Sequence, residues 1–124
     1  PESKLYQDLR NFLKKNQSKC ILTRIETSAS LGFPDLLFCD ESGGMHFIEL
    51  KTTKANAVKL SPHQIAFMTK HKKSSVWVLV RQINSKELFL YHGSQVISLA
   101  HLGLKSPPTV KSDDFNLILK KISN

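Results

Sequence analysis

An α/β fold, with one mixed sheet flanked by helices, is what the order of apolar patterns in this chain predicts. Three observations carry it. Leu5, Leu9, Phe12 and Leu13 recur at helical spacing, while Arg10, Asn11, Lys14 and Lys15 fall on the other side. Three short apolar runs follow at strand length, Cys20 to Thr27, Asp35 to Cys39 and Met45 to Lys51. Ser61-Pro62-His63-Gln64 then opens a second helix running to about Lys72, ahead of a strong strand at Ser75 to Arg81. Helix, three strands, helix, strand packs as helices on a mixed sheet. Beyond this core, Glu87 to Tyr91 reads as a strand after the Asn84-Ser85 turn. Ser94 to His101 reads as a short helix, Ser106-Pro107-Pro108 as a loop and Asp113 to Ile122 as a terminal helix.

At 124 residues the chain suits one domain, with a core at about residues 2–92 and a C-terminal extension at 93–124. A formal charge of +8 and a pI near 9.7 make a polyanionic partner plausible without naming it. Cys20 and Cys39 sit in apolar runs, far from any CxxC spacing, and read as reduced thiols of an intracellular, cytoplasmic protein. No stretch is apolar or long enough to span a membrane, and no secretory signal is evident. The apolar C-terminal third, with Val96, Ile97, Leu99, Leu102 and Leu104, suits either a cap on the core or a homodimer interface.

The chemistry concentrates in Gly32-Phe33-Pro34-Asp35-Leu36-Leu37-Phe38 and Phe47-Ile48-Glu49-Leu50-Lys51. Asp35, Glu49 and Lys51 interrupt runs that want burial, where an unpaired charge costs several kcal/mol (~1–3 at least) or is neutralised. Side chains alternate along a strand, so Glu49 and Lys51 share a face about 6–7 Å apart. Asp40-Glu41-Ser42-Gly43-Gly44 is a hairpin signal, and folding about Ser42 sets Asp35 opposite Glu49. An even loop would put the two acids on opposite faces. An odd loop or bulge is required, with Gly43 or Gly44 supplying a positive φ. Two acids and a lysine so gathered suit a divalent cation and phosphodiester chemistry.

Pro34-Asp35, thirteen residues, then Glu49-Leu50-Lys51 resembles the PD-(D/E)xK nuclease superfamily. With Gly32-Phe33-Pro34-Asp35, Ile48-Glu49-Leu50-Lys51-Thr52 and Leu60-Ser61-x-x-Gln64, it looks most like the VRR-NUC branch, close in layout to archaeal Holliday-junction resolvases. The likeness spans roughly Glu2 to Val80. One departure is Lys54-Ala55-Asn56-Ala57-Val58-Lys59, which lacks the glycine that this branch usually carries before its Leu-Ser pair.

The resemblance implies a restriction-endonuclease-like αβββαβ core and a metal-dependent deoxyribonuclease. Asp35, Glu49 and the Leu50 carbonyl would hold Mg²⁺ or Mn²⁺, and Lys51 would position or deprotonate the attacking water. Glu2, within the first helix's apolar stripe, would lean toward the sheet and join or complete the metal shell; Asp8 is the poorer choice. Gln64 would orient Lys51 or the water. Yet Ser61-x-x-Gln64 also matches a capping box, and one side chain is not expected to do both. Glu26 is ambiguous between a metal-side acid and a local ion pair with Arg24. Ser28 and Ser30, in the loop before the motif, and Lys54 and Lys59, bordering the site, are the candidate DNA phosphate contacts. Lys14, Lys15, Lys70, Lys72 and Lys73 are solvated charges or an outer track. The five histidines share no ligand spacing and are given no role. The expected substrate is branched or structured DNA, in phage or bacterial recombination or repair. The alternative is a catalytically inactive DNA-binding or interaction module with the same fold.

Overall fold

The computed structural model describes residues 1–26 and 31–124. The elements are α1 (Glu2–Lys15), β1 (Ile21–Arg24), β2 (Leu36–Cys39), β3 (Met45–Thr53), α2 (Pro62–Lys70), β4 (Val76–Gln82), β5 (Leu88–His92), α3 (Val96–Leu102), β6 (Val110–Ser112) and α4 (Phe115–Ser123). The six strands form one mixed sheet in sequential order, β1 to β6. Every pair is antiparallel except β3 with β4, which the α2 crossover makes parallel.

Strand alternation divides the apolar residues between two cores. Leu36, Phe38, Ile48, Leu50, Leu79 and Leu90 meet Leu5, Leu9 and Leu13 of α1 and Ile118, Leu119 and Ile122 of α4. On the other face Val76, Val78, Val80 and Tyr91 meet Met68 of α2 and Val96 and Leu99 of α3. Helices cover β4 on both faces, which is why Val76 to Val80 is an unbroken apolar run. Buried Tyr91 donates its hydroxyl hydrogen to the Ser106 carbonyl, and burial pushes its pKa up to about 12.

The predicted fold class is the one observed, with shifted boundaries. β1 runs only from Ile21 to Arg24 rather than Cys20 to Thr27, and α2 ends at Lys70. β6 was not anticipated: three residues following Pro107-Pro108 carry no strand periodicity, and only pairing with β5 makes them a strand. The C-terminal segment packs against both cores, with Val96, Leu99, Leu104, Ile118 and Leu119 buried. Ile97 and Leu102 remain exposed.

The β2–β3 loop decides the site's register. Cys39 pairs with Met45, leaving five residues, the odd count that the sequence demands. Gly43 takes a φ of 87°, and the Asp40 carboxylate accepts from the Ser42 and Gly44 amides at 2.9 Å each. Asp40 also bonds His46 Nε2 at 2.7 Å, and His46 Nδ1 meets Ser75 Oγ. These bonds, His46 foremost, hold the Asp40 carboxyl below its ordinary pKa. His46, given no role from the sequence, is a buried tie between the hairpin and the start of β4.

Candidate active site

Leu36 pairs with Ile48, and continuing that register by one step sets Asp35 opposite Glu49. The Asp35 carbonyl accepts from Ile25 N at 2.7 Å, so the β1 pairing extends to the same point. Three contacts seat the preceding turn. Phe33 packs edge-on to Phe47 and against Phe67 of α2, at centroid distances of 5.5 and 5.1 Å. Gly32 has a φ of 82°, and a Cβ there would lie 2.3 Å from the His63 carbonyl oxygen. Its lack of a side chain lets the turn touch the start of α2, where Gln64 resides.

Asp35 accepts from the Leu50 backbone N–H at 2.9 Å through one carboxylate oxygen. In an extended strand a residue's N–H and C=O project to the same side, so the Leu50 carbonyl faces Asp35 as well. Glu49 is only 3% exposed. Lys51 Nζ stands 3.9 Å from its Oε2, and the Gln64 amide donates to that same oxygen at 2.9 Å. Burial first, and then the adjacent Asp35 carboxylate, push the Glu49 pKa up to about 8, against the weaker pull of Lys51. Two carboxyl groups thus sit side by side, and Lys51 only partly offsets the repulsion between their charged forms.

Gln64 corrects the expectation that it must choose between two roles. Its carbonyl oxygen accepts from Ser61 N at 2.9 Å while Ser61 Oγ accepts from Gln64 N at 3.1 Å, a complete capping box. Its NH₂ remains free to reach Glu49, because an amide carries an acceptor and donors at opposite corners. Its partner in the site is Glu49, not Lys51.

Glu2 reaches the sheet, where it accepts from the N–H of Thr52 at 3.1 Å and from the Thr52 hydroxyl. Among the described residues, no three His, Cys, Asp or Glu side chains converge as a metal-holding group. Glu2 instead lines a cleft of about 60 Å³ together with Tyr6, Arg24, Asp35 and Leu50. That volume is room for about two waters. Asp8 lies elsewhere, bonded to Arg81 at 2.8 Å and to Lys4 at 3.0 Å. Glu26 is exposed and pairs with Arg24 at 3.7 Å, as the ion-pair reading expects. Arg24 also stands over the Tyr6 ring, 5.1 Å from its centroid. Sequence reasoning gave Arg24 no place in the site; its proximity to Asp35 arises from β1–β2 pairing and has no local signal. Lys54 and Lys59 are exposed. Ser28 and Ser30 lie outside the described residues.

The donor set fits a hard divalent ion: two carboxylates and a backbone carbonyl, all oxygen, at a point where burial makes a lone carboxylate costly. A larger cleft of about 720 Å³, between α1, α4 and the β2–β3 loop, contains none of these residues.

No protein-family model and no curated protein matches the chain. Solved structures similar to it include a bacterial homing endonuclease, I-Ssp6803I. That structure superposes with a TM-score of 0.53 over 98% of this chain and 91% of its own, at 12% identity. At that identity the likeness is one of fold, an α/β fold with one mixed sheet. Placement in the VRR-NUC branch rests on the motifs alone.

Proposed function

We propose that the protein is a divalent-metal-dependent DNA endonuclease acting through Asp35, Glu49 and Lys51. One observation carries the reading: a buried Glu49 at the middle of β3, beside Asp35 and with Lys51 on the same face. The fold likeness to an endonuclease supports it without assigning the substrate.

Asp35, Glu49 and the Leu50 carbonyl would hold Mg²⁺ or Mn²⁺. Such an ion supplies Lewis-acid stabilisation of the phosphate and a more acidic bound water. The chain's own residues do the rest. Leu50 N–H fixes Asp35, and Gln64, anchored by its capping box, fixes Glu49. Lys51 sets a cation beside the reacting phosphate, where it stabilises developing charge and orients the attacking water. Glu2 secures Thr52, the residue after Lys51, and faces the small cleft through which it would bind a ligand water. Lys54 and Lys59 continue from this strand as phosphate contacts. Branched or structured DNA is the proposed substrate class, on the strength of the motif layout that resembles the archaeal Holliday-junction resolvases.

Cleavage of a labelled panel (four-way junction, flap, linear duplex, single strand, supercoiled plasmid) with Mg²⁺ or Mn²⁺ tests the reading. Asp35→Asn, Glu49→Gln and Lys51→Ala should each abolish cutting and remain folded. Cutting retained by any of the three would overturn the assignment. Binding without cutting under either metal would point to an inactive DNA-binding module.

A further inference from the structure

Beyond β3 the chain builds a second feature, made of three segments distant in sequence. The strand that carries Glu49 and Lys51 continues into Lys54-Ala55-Asn56-Ala57, and hydrogen bonds lace that stretch to two neighbours. Ile83 N donates to the Thr53 carbonyl at 2.8 Å, and the Asn84 side-chain amide donates to the Lys54 carbonyl at 3.0 Å. Both come from the β4–β5 turn, which carries Lys86. On the other side Leu104 N donates to the Asn56 carbonyl at 2.8 Å, bringing in Lys105. Gly103 makes this approach possible: a Cβ there would stand 2.0 Å from the Asn56 oxygen.

Lys54, Lys86 and Lys105 are all exposed, and among the described residues none has a carboxylate within ion-pair distance. Glu87, next to Lys86 in sequence, is already engaged by Lys111 at 3.6 Å, and Glu2 by Thr52. Lys86 adds an independent sign. It holds a φ of 61°, a conformation that Gly or Asn adopts more easily than a lysine. The tip of the turn thus carries a cation where backbone preference alone would place a glycine. Five further lysines without an ion pair among the described residues, Lys14, Lys15, Lys70, Lys72 and Lys73, lie at the C-terminal ends of α1 and α2 and just beyond. That is the opposite end of the sheet, shared with Asp40 and Glu41.

We propose that a DNA duplex leaving the Asp35–Glu49–Lys51 site runs over Lys54, Lys86 and Lys105, whose ammonium groups grip its phosphate backbone. The direction of the path rests on the nuclease reading; the grip itself does not. The substrate track therefore includes the β4–β5 turn and the end of α3, and excludes the lysines at the far end.

The test is binding of a fluorescently labelled DNA duplex by anisotropy in EDTA, titrated with salt, with cleavage in Mg²⁺ run alongside. K86G/K105A is compared with wild type and with K72A/K73A. Glycine at 86 suits the backbone, so K86G/K105A should melt no lower than wild type. Losing two phosphate contacts should reduce the slope of log K against log salt by about 2, with roughly tenfold weaker binding. K72A/K73A should keep both slope and affinity. That pattern supports the track whether or not the wild type cuts, whereas absent cutting with the pattern intact counts against the nuclease reading alone. Unchanged binding by K86G/K105A, loss confined to K72A/K73A, or no duplex binding by wild type would each overturn the track.

Discussion

Glu49→Gln should stabilise the metal-free protein while abolishing its activity, and the effect should depend on pH in a defined direction. Glu49 titrates near 8 in the folded chain, against 4.5 for an ordinary glutamate. A carboxyl with a raised folded pKa keeps its proton in the folded state after the unfolded chain has lost it. Stability therefore falls as pH rises from about 4.5 to about 8, by ~1.4 kcal/mol per pH unit. Glutamine carries no such burden. It still meets Gln64 through its own carbonyl, and its amide can donate to Asp35. The gap between variant and wild type should thus be below about 1 kcal/mol at pH 5 and reach on the order of 4 kcal/mol at pH 8, which is about 15 °C in Tm for a domain of this size. Thermal or urea unfolding in EDTA across that range reads it directly, and the difference between the two proteins cancels titrations that they share. An E49Q variant equal to or less stable than wild type at pH 8 would refute the claim that burial and Asp35 burden Glu49.

Other consequences follow from the same geometry. Ca²⁺ should raise the melting temperature of wild type more at pH 8 than at pH 6, because at pH 6 the ion must displace a proton from Glu49. Asp35→Asn should lose that stabilisation, and an equal rise in the variant would place the ion elsewhere. Gln64→Ala removes the side-chain half of the capping box and the Glu49 donor together while the Ser61 cap persists, so it should cost about 1–2 kcal/mol in urea unfolding and reduce cleavage. Gly32→Ala forces a Cβ against the His63 carbonyl at positive φ and should cost at least ~2 kcal/mol, displacing Gln64 from Glu49. Asp8→Ala leaves Arg81 unpaired and should cost ~1–3 kcal/mol at pH 7. Burial alone would raise the Asp8 pKa, but its bonds to Lys4 and Arg81 outweigh that and lower it. Its contribution should therefore be present at neutral pH and vanish as pH falls below the ordinary carboxylate range.

Much of this site was legible in the chain because strand alternation is a strong local rule. Parity put Glu49 and Lys51 on one face, and bringing Asp35 to that face required the odd hairpin loop that Gly43 completes. The two helical starts and the buried run of β4 were likewise readable, since an apolar stripe or run records burial directly. Other features came from pairings between residues far apart in sequence, which leave no periodic trace. Gln64 satisfies both its cap and Glu49 only because Gly32 lets α2 begin against the motif turn. Glu2 ends on Thr52, fifty residues away, through the crossing of α1 over β3. The same holds for β6, which exists through its ladder with β5, and for the three lysines gathered beyond Lys51. The sequence determined which residues face the sheet's two sides, because that depends on neighbours two or four positions away. The tertiary structure decided which polar groups meet, because a hydrogen bond or a basic surface depends on distances that no short-range pattern encodes.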